Sequence, residues 1–162
     1  MSTSNPQQKL LKSIVAKLRL DTGTDSLVAR TNHSSSNIRI ARDRPILKSE
    51  TPYLGVFVSQ SVPVMGDGPD ILEQARVHFR AYAAKELTSM QIADRLSYLL
   101  QGWSQHSASP NTGYYDFSSV SDGISNRHTR YAGRDGQLFN DKTDVWNTLI
   151  EADLIWTNKA CT

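Results

Sequence analysis

Ala75-Arg76-Val77-His78-Phe79-Arg80-Ala81-Tyr82 alternates apolar and polar residues with period two, and successive side chains of a strand point to opposite faces of a sheet. The stretch is therefore a half-buried strand. Val77, Phe79 and Ala81 face the core, and Arg76, His78 and Arg80 lie on a second face that is either wet or covered by a partner.

The same parity returns near the carboxyl end. From Val145 to Trp156, Trp146, Thr148, Ile150, Ala152, Leu154 and Trp156 share one parity while Asn147, Glu151 and Asp153 share the other, which reads as one long strand. A helix could hold part of this run, but the β-branched and aromatic residues near its ends favour the strand. Pro52 precedes Tyr53-Leu54-Gly55-Val56-Phe57-Val58, a β-rich run short enough to be a central strand buried on both faces, and Ile38 to Arg42 alternates briefly before it. Tyr114 to Phe117 and Thr129 to Ala132 are short strand candidates on either side of a Ser/Asp/Gly/Asn turn.

Two segments have helical spacing instead. Asn5-Pro6-Gln7-Gln8 is a helix start, with Asn as cap, Pro in the first turn and Gln8 at the capping-box position. Leu10, Leu11, Ile14, Val15 and Leu18 then form one stripe, and Gly23 is placed to end the helix after Leu20. Thr88 to Gln101 is the second helix, with Thr88 and Gln91 as a capping box, Ile92, Leu96, Leu99 and Leu100 as its stripe, and Gly102 as its stop. Thr31–Asn37, the Pro63–Pro69 cluster and Ser104–Gly113 are rich in Ser, Asn, Gly and Pro and read as loops or turns. The expected fold is a single α+β domain over residues 1–162, with a mostly antiparallel sheet of four to six strands and two main helices on one face.

Composition narrows the function classes. At 162 residues, 38% hydrophobic and 21% charged, the chain is that of a folding globular domain. Its net charge of +2 comes from 18 basic and 16 acidic residues, without the basic excess of a nucleic-acid module. Cys161 is the sole cysteine, which rules out an intrachain disulfide and a cysteine-based zinc cluster and fits a reducing cytoplasm. No apolar run approaches the roughly 20 residues that a membrane helix needs, so neither secretion nor membrane insertion is expected.

Catalytic signatures are absent from the sequence. His33, His78, His106 and His128 fall in different segments, and none has a second ligand at metal-binding spacing. There is no Gly-x-Ser-x-Gly elbow, and Gly66-x-Gly68 and Gly133-x-x-Gly136 are too short to cradle a phosphate. Asp67/Asp70 and Asp141/Asp144 sit in turn-like contexts where solvated carboxylates are the rule. No catalytic residue, cofactor site or metal site is expected, and the protein reads as a non-enzyme. Two basic groupings, Arg39/Arg42/Arg44 and Arg127/Arg130/Arg134 with His128, could meet phosphates or an acidic surface; a solvated face is the favoured reading of each. Glu86 to Leu96 looks like the first helix of a helix-turn-helix, with Leu-Thr before Ile-Ala-x-x-Leu, but the helix runs on to Gly102 where a tight turn and recognition helix are required.

Taken in order, the initial helix, the Pro-Tyr-Leu-Gly-Val strand at Pro52–Val56, the strand Arg76–Ala83, the helix Met90–Leu100, a variable loop and a closing strand ending Leu154-Ile155-Trp156 resemble the tail-terminator family of tailed bacteriophages. The polar loop at Thr31–Asn37 and the long stretch Ser104–Gly123 depart from leaner members of that family. The resemblance implies a structural virion protein of the tail and neck, assembled in the host cytoplasm as a homo-hexameric ring. Such a ring binds the last ring of tail-tube protein, stops its polymerisation and presents a surface to the head-connector or neck protein, with phage DNA passing through the lumen. Arg76, His78 and Arg80 are then expected at a partner surface, and Arg127, Arg130 and Arg134 at the lumen or an acidic neighbour. Another neck or head-completion protein, or a small DNA-binding regulator using Thr88–Leu96, are the alternatives.

Overall fold

The computed structural model describes residues 5–31, 39–65, 72–101 and 115–158. Helix α1 (Pro6–Leu18) is followed by the single turn α2 (Leu27–Arg30), and strand β1 (Ile40–Arg42) leads through a short 3-10 turn to β2 (Tyr53–Met65). Strand β3 (Leu72–Ala83), helix α3 (Glu86–Leu100), β4 (Ile124–Arg134), β5 (Leu138–Asn140) and β6 (Val145–Asn158) complete the order. The strands form one sheet in the order β1-β2-β3-β6-β4, with β5 also paired to β6. Every pairing is antiparallel except β1 with β2. The fold is α+β, with the two main helices on one face, as the two hydrophobic periods predict.

Pairing in register makes the alternation physical. Phe79 sits between Val56 and Ile150, and Val77 between Val58 and Ala152, so the apolar parity of three strands meets the stripes of α1 and α3 in one core. Leu10, Ile14 and Leu18 of α1 and Ile92, Leu96 and Leu99 of α3 are fully buried there. On β6, Thr148, Ile150, Ala152, Leu154 and Trp156 are buried as their parity requires, whereas Trp146 is only half-buried and lies tilted against the Phe139 ring of β5.

Several boundaries differ from expectation for identifiable reasons. Asn5 caps α1 by accepting from the Gln7 amide at 2.9 Å, but the helix stops at Leu18, before Gly23. Helix α3 begins two residues ahead of Thr88, with Lys85 at the cap position and no side-chain cap, so Thr88 lies within the first turn and the Thr88/Gln91 box is not used. Strand β2 is buried on both faces only over Tyr53–Val56, where the segment after β1 covers the outer side; it continues through Pro63 to Met65 and lies next to the edge strand. The central position belongs to β3. Tyr115–Phe117 is not a strand: Phe117 is wholly buried and its amide donates to Asn126 Oδ1 at 3.0 Å. Strand β4 is much longer than Thr129–Ala132, and its turn is confined to Val120–Gly123, where Gly123 takes φ +69°. The loops expected at residues 32–37 and 104–113, and the glycine part of the Pro63–Pro69 cluster, lie outside the described residues.

Phe79 is fully buried at the middle of the central strand. Phe79→Ala should lower unfolding free energy by about 3–5 kcal/mol in a urea titration.

Candidate functional site: the open face of the sheet

The parity that buries Val77 and Phe79 sends Arg76, His78 and Arg80 to the face without helices, as expected. Their neighbours across the sheet are set by register. Phe57, His78 and Glu151 form one row; Gln60, Arg76, Asp153 and Arg130 the next; Val62, Gln74, Ile155 and His128 the third.

These rows are tied together by charge-assisted hydrogen bonds. Arg76 grips Asp153 with two parallel bonds, Nε to Oδ1 at 2.5 Å and an Nη to Oδ2 at 3.1 Å, and reaches Glu151 with its other Nη at 3.1 Å. Arg130 donates to Asp153 Oδ2 from the far side at 3.1 Å. One carboxylate therefore joins β3, β6 and β4. Burial alone would raise the Asp153 pKa, but the two guanidiniums outweigh it and hold the carboxyl below its ordinary value. His78 stacks flat on Phe57 at 4.6 Å between centroids, with Nδ1 3.2 Å from Glu151 and Nε2 2.8 Å from Ser59 Oγ. Burial lowers the His78 pKa, Glu151 partly offsets this, and Arg76 and Arg80 add to the lowering, so the ring holds a proton less readily than a free imidazole.

At the other end of the face, Asp43 lies over Gly55. A Cβ on Gly55 would stand 2.4 Å from Asp43 Oδ1 and 3.0 Å from its Cα, so the glycine of the Pro-Tyr-Leu-Gly-Val run is the space in which Asp43 sits. Asp43 accepts from the Tyr82 hydroxyl at 2.8 Å and is 3.7 Å from Arg80. Burial first, and then the Asp43 hydrogen bond, push the Tyr82 phenol up to about 12. Ile46, Tyr53, Tyr82 and Val145 form a small second core beneath this segment.

The two basic groupings disperse. Arg44 pairs with Glu50 and lies over the Tyr53 ring, Arg39 donates to the Thr51 carbonyl at 2.5 Å, and Arg42 is exposed. Bulges in β4 at Asn126/His128 and Tyr131/Gly133 reset its parity. Arg130 consequently reaches the open face, Arg134 emerges on the helical side against Asp94 of α3, and Arg127 is exposed at the first bulge. His128 shares the open face with Arg130, while His33 and His106 lie outside the described residues. Asp144 pairs with Lys48 at 2.5 Å, and Asp67 and Asp70 lie outside the described residues.

Sequence reasoning missed Asp43 and Asp153 as organisers of this face. The signal for Asp153 is its parity: with Glu151 it stands opposite the basic parity of β3, which pairs naturally in an antiparallel sheet. Nothing local marks Asp43. Among the described residues there is no group of three or more His, Cys, Asp or Glu side chains able to hold a metal ion, and no helix long and apolar enough to cross a membrane.

What remains on the face is shape and balanced charge. Arg76, Arg80 and Arg130 face Asp43, Glu151 and Asp153. Between them the surface dips into a shallow cleft of about 340 Å³ lined by Gln60, Val62, Gln74, Arg76 and Asp153. A second cleft of about 320 Å³ lies at the Asp43 end, against Arg80, Tyr82 and Asn147. No protein-family model matches the chain, and no curated protein matches it in sequence.

Asp153→Asn should cost about 1–3 kcal/mol at pH 7, the loss being limited by solvent screening because Arg130 is 68% exposed. The folded-state carboxyl is held below its ordinary value, so as pH falls the unfolded chain takes up the proton first. The contribution is complete above about pH 5 and vanishes as pH drops through the folded-state pKa. Urea midpoints should therefore separate wild type from Asp153→Asn at neutral pH and converge in acid. Gly55→Ala should cost about 1–3 kcal/mol by driving Asp43 off its seat, read in the same titration.

Proposed function

We propose that the chain is a tail-terminator subunit of a tailed bacteriophage: a structural, non-enzymatic virion protein that caps the tail tube, stops its polymerisation and presents a surface to the head connector. The observation that carries this reading is the order of elements. Initial helix, Pro-Tyr-Leu-Gly-Val strand, Arg76-containing strand, helix and closing strand stand in the sequence in the order that bears the resemblance, and they pack as one sheet with two helices on one face.

The character of the open face supports a mechanical role. Asp153 bridges Arg76 and Arg130 across three strands, so the side chains there are held in place before any partner arrives. Pre-ordered surfaces of this kind lose little conformational entropy on association. In this reading the chain forms a homo-hexameric ring, assembled in the host cytoplasm and incorporated in the virion, with the tail-tube and head-connector proteins as neighbours. Pairing of Arg130 and Arg134 with carboxylates weighs against the alternative of a DNA-binding regulator, which needs unneutralised cations to meet phosphates.

In a phage that encodes this chain, silencing the gene should leave free heads beside abnormally long tubes in electron micrographs. Tubes of normal length left unjoined would shift the role to another neck position, and intact virions would contradict the structural reading.

A further inference from the structure

We propose that Ser59 is an activated hydroxyl, backed by His78 as base and Glu151 as the carboxylate that orients it, and that it takes up one acyl group from an activated ester. The assignment is independent of the tail-terminator reading. It adds a modification site to the open face, one acyl group per chain and not turnover.

The site is built by an irregularity in β2. Register passes from Val58 opposite Val77 to Gln60 opposite Arg76, so Ser59 is the extra residue of a bulge. Without the bulge, Gln60 would point to the core; with it, Ser59 and Gln60 share the open face. Ser59 is exposed, its Oγ stands 2.8 Å from His78 Nε2, and His78 Nδ1 is 3.2 Å from Glu151 Oε1. Three adjacent strands, β2, β3 and β6, each supply one member. No local spacing in the sequence brings them together.

Donor and acceptor chemistry fixes the roles. An ionised carboxylate only accepts, so Nδ1 carries the proton toward Glu151, and Nε2 of the neutral ring is left as the acceptor facing Ser59. Turning the ring over would set carbon against both partners, and the flat stack on Phe57 holds its plane. The other contact of Ser59 Oγ is the Arg76 carbonyl at 3.3 Å, longer than the bond to Nε2, so the imidazole is the better acceptor for the hydroxyl proton. The charges that bear on His78 are Glu151 from β6, Arg76 and Arg80 from β3, and Asp43 from the segment after β1. The neighbours that β2 and β4 place in this row, Phe57, Ser59 and Gly133, are uncharged. Burial and the two arginines make the ring give up its proton more readily, which keeps Nε2 open to the hydroxyl.

The step balances without a further reagent. Ser59 Oγ attacks the carbonyl carbon of the ester and its proton passes to His78 Nε2. The bond from that carbon to the leaving oxygen then breaks, and the proton returns from Nε2 to the departing alkoxide or phenoxide. What the face supplies is a base and its orienter, so the acyl donor brings a good leaving group of its own, as an aryl ester does.

The test uses p-nitrophenyl acetate on the full chain, with p-nitrophenolate release followed by absorbance and the acetylated residue located by peptide mass spectrometry. Acetylation of Ser59 should run roughly 100-fold faster than that of Ser49 and Ser121, two exposed serines of the same molecule. Ser59→Ala should abolish the fast phase, and His78→Gln should slow it by roughly 100-fold, with folding of each checked by circular dichroism. Glu151 acts through His78 and is a positioning residue. Glu151→Gln keeps an oxygen for Nδ1 but loses the charge that raises the His78 pKa, so the rise of the acylation rate with pH should shift to lower pH. A purely structural effect would change the rate without moving that rise. Acetylation of Ser59 no faster than that of Ser49 overturns the proposal on the wild-type chain alone, and so does a folded His78→Gln chain that reacts at the wild-type rate.

Discussion

Twelve consecutive residue pairs join β3 to β6, from Leu72 opposite Thr157 to Ala83 opposite Trp146, and the rest of the structure depends on that register. Because side chains alternate, a slip of one residue would send Phe79, Ile150 and Leu154 to the outside and Arg76 and Asp153 into the core. Such a slip would bury unpaired charge and expose apolar surface together, so the two faces specify the same alignment. The helices follow from it. Strands β3 and β6 bury most of their Ala, Val, Phe, Ile and Leu on one face, and α1 and α3 cover that face with stripes spaced three and four residues apart; Val145 is the exception, buried on the other side in the small second core.

The open face is organised by two carboxylates supplied in different ways. Asp153 comes from within the sheet and links three strands through Arg76 and Arg130. Asp43 comes from the segment after β1 and fits over Gly55, where any side chain would collide with it. Between them the face is ordered from end to end, with the His78–Phe57 stack in the middle. An ordered face of balanced charge is poorly suited to drawing in DNA and well suited to fitting a protein surface.

Much of this was legible in the residues. Period two at Ala75–Tyr82 and Val145–Trp156 located β3 and β6, and the stripes Leu10–Leu18 and Ile92–Leu100 located both main helices. What was not legible lay where local pattern and context part company. Ser59–Ser61 is polar and Pro63 opens a stretch that reads as a turn, yet a strand near an edge tolerates both because its outer side is not packed. Ile124–Arg134 is rich in polar residues because its bulges keep it at an edge. At α3 the box Thr88/Gln91 is a local preference overridden by tertiary packing: Ser89 is buried, donating to the Ala81 carbonyl and meeting Thr148, which anchors the first turn earlier than the capping signal. Of the face residues, Arg76, His78 and Arg80 followed from parity alone. Their partners come from 19 to 77 positions away in the chain, and no local spacing could have named them.

The central claim is that this domain, with its ordered and charge-balanced sheet face, caps a polymerising tube. The most direct measurement is electron microscopy of purified tail-tube protein polymerising with increasing amounts of this chain. The account predicts tubes that shorten as the chain is added, each carrying extra density at one end. Tubes of unchanged length with bare ends would contradict it.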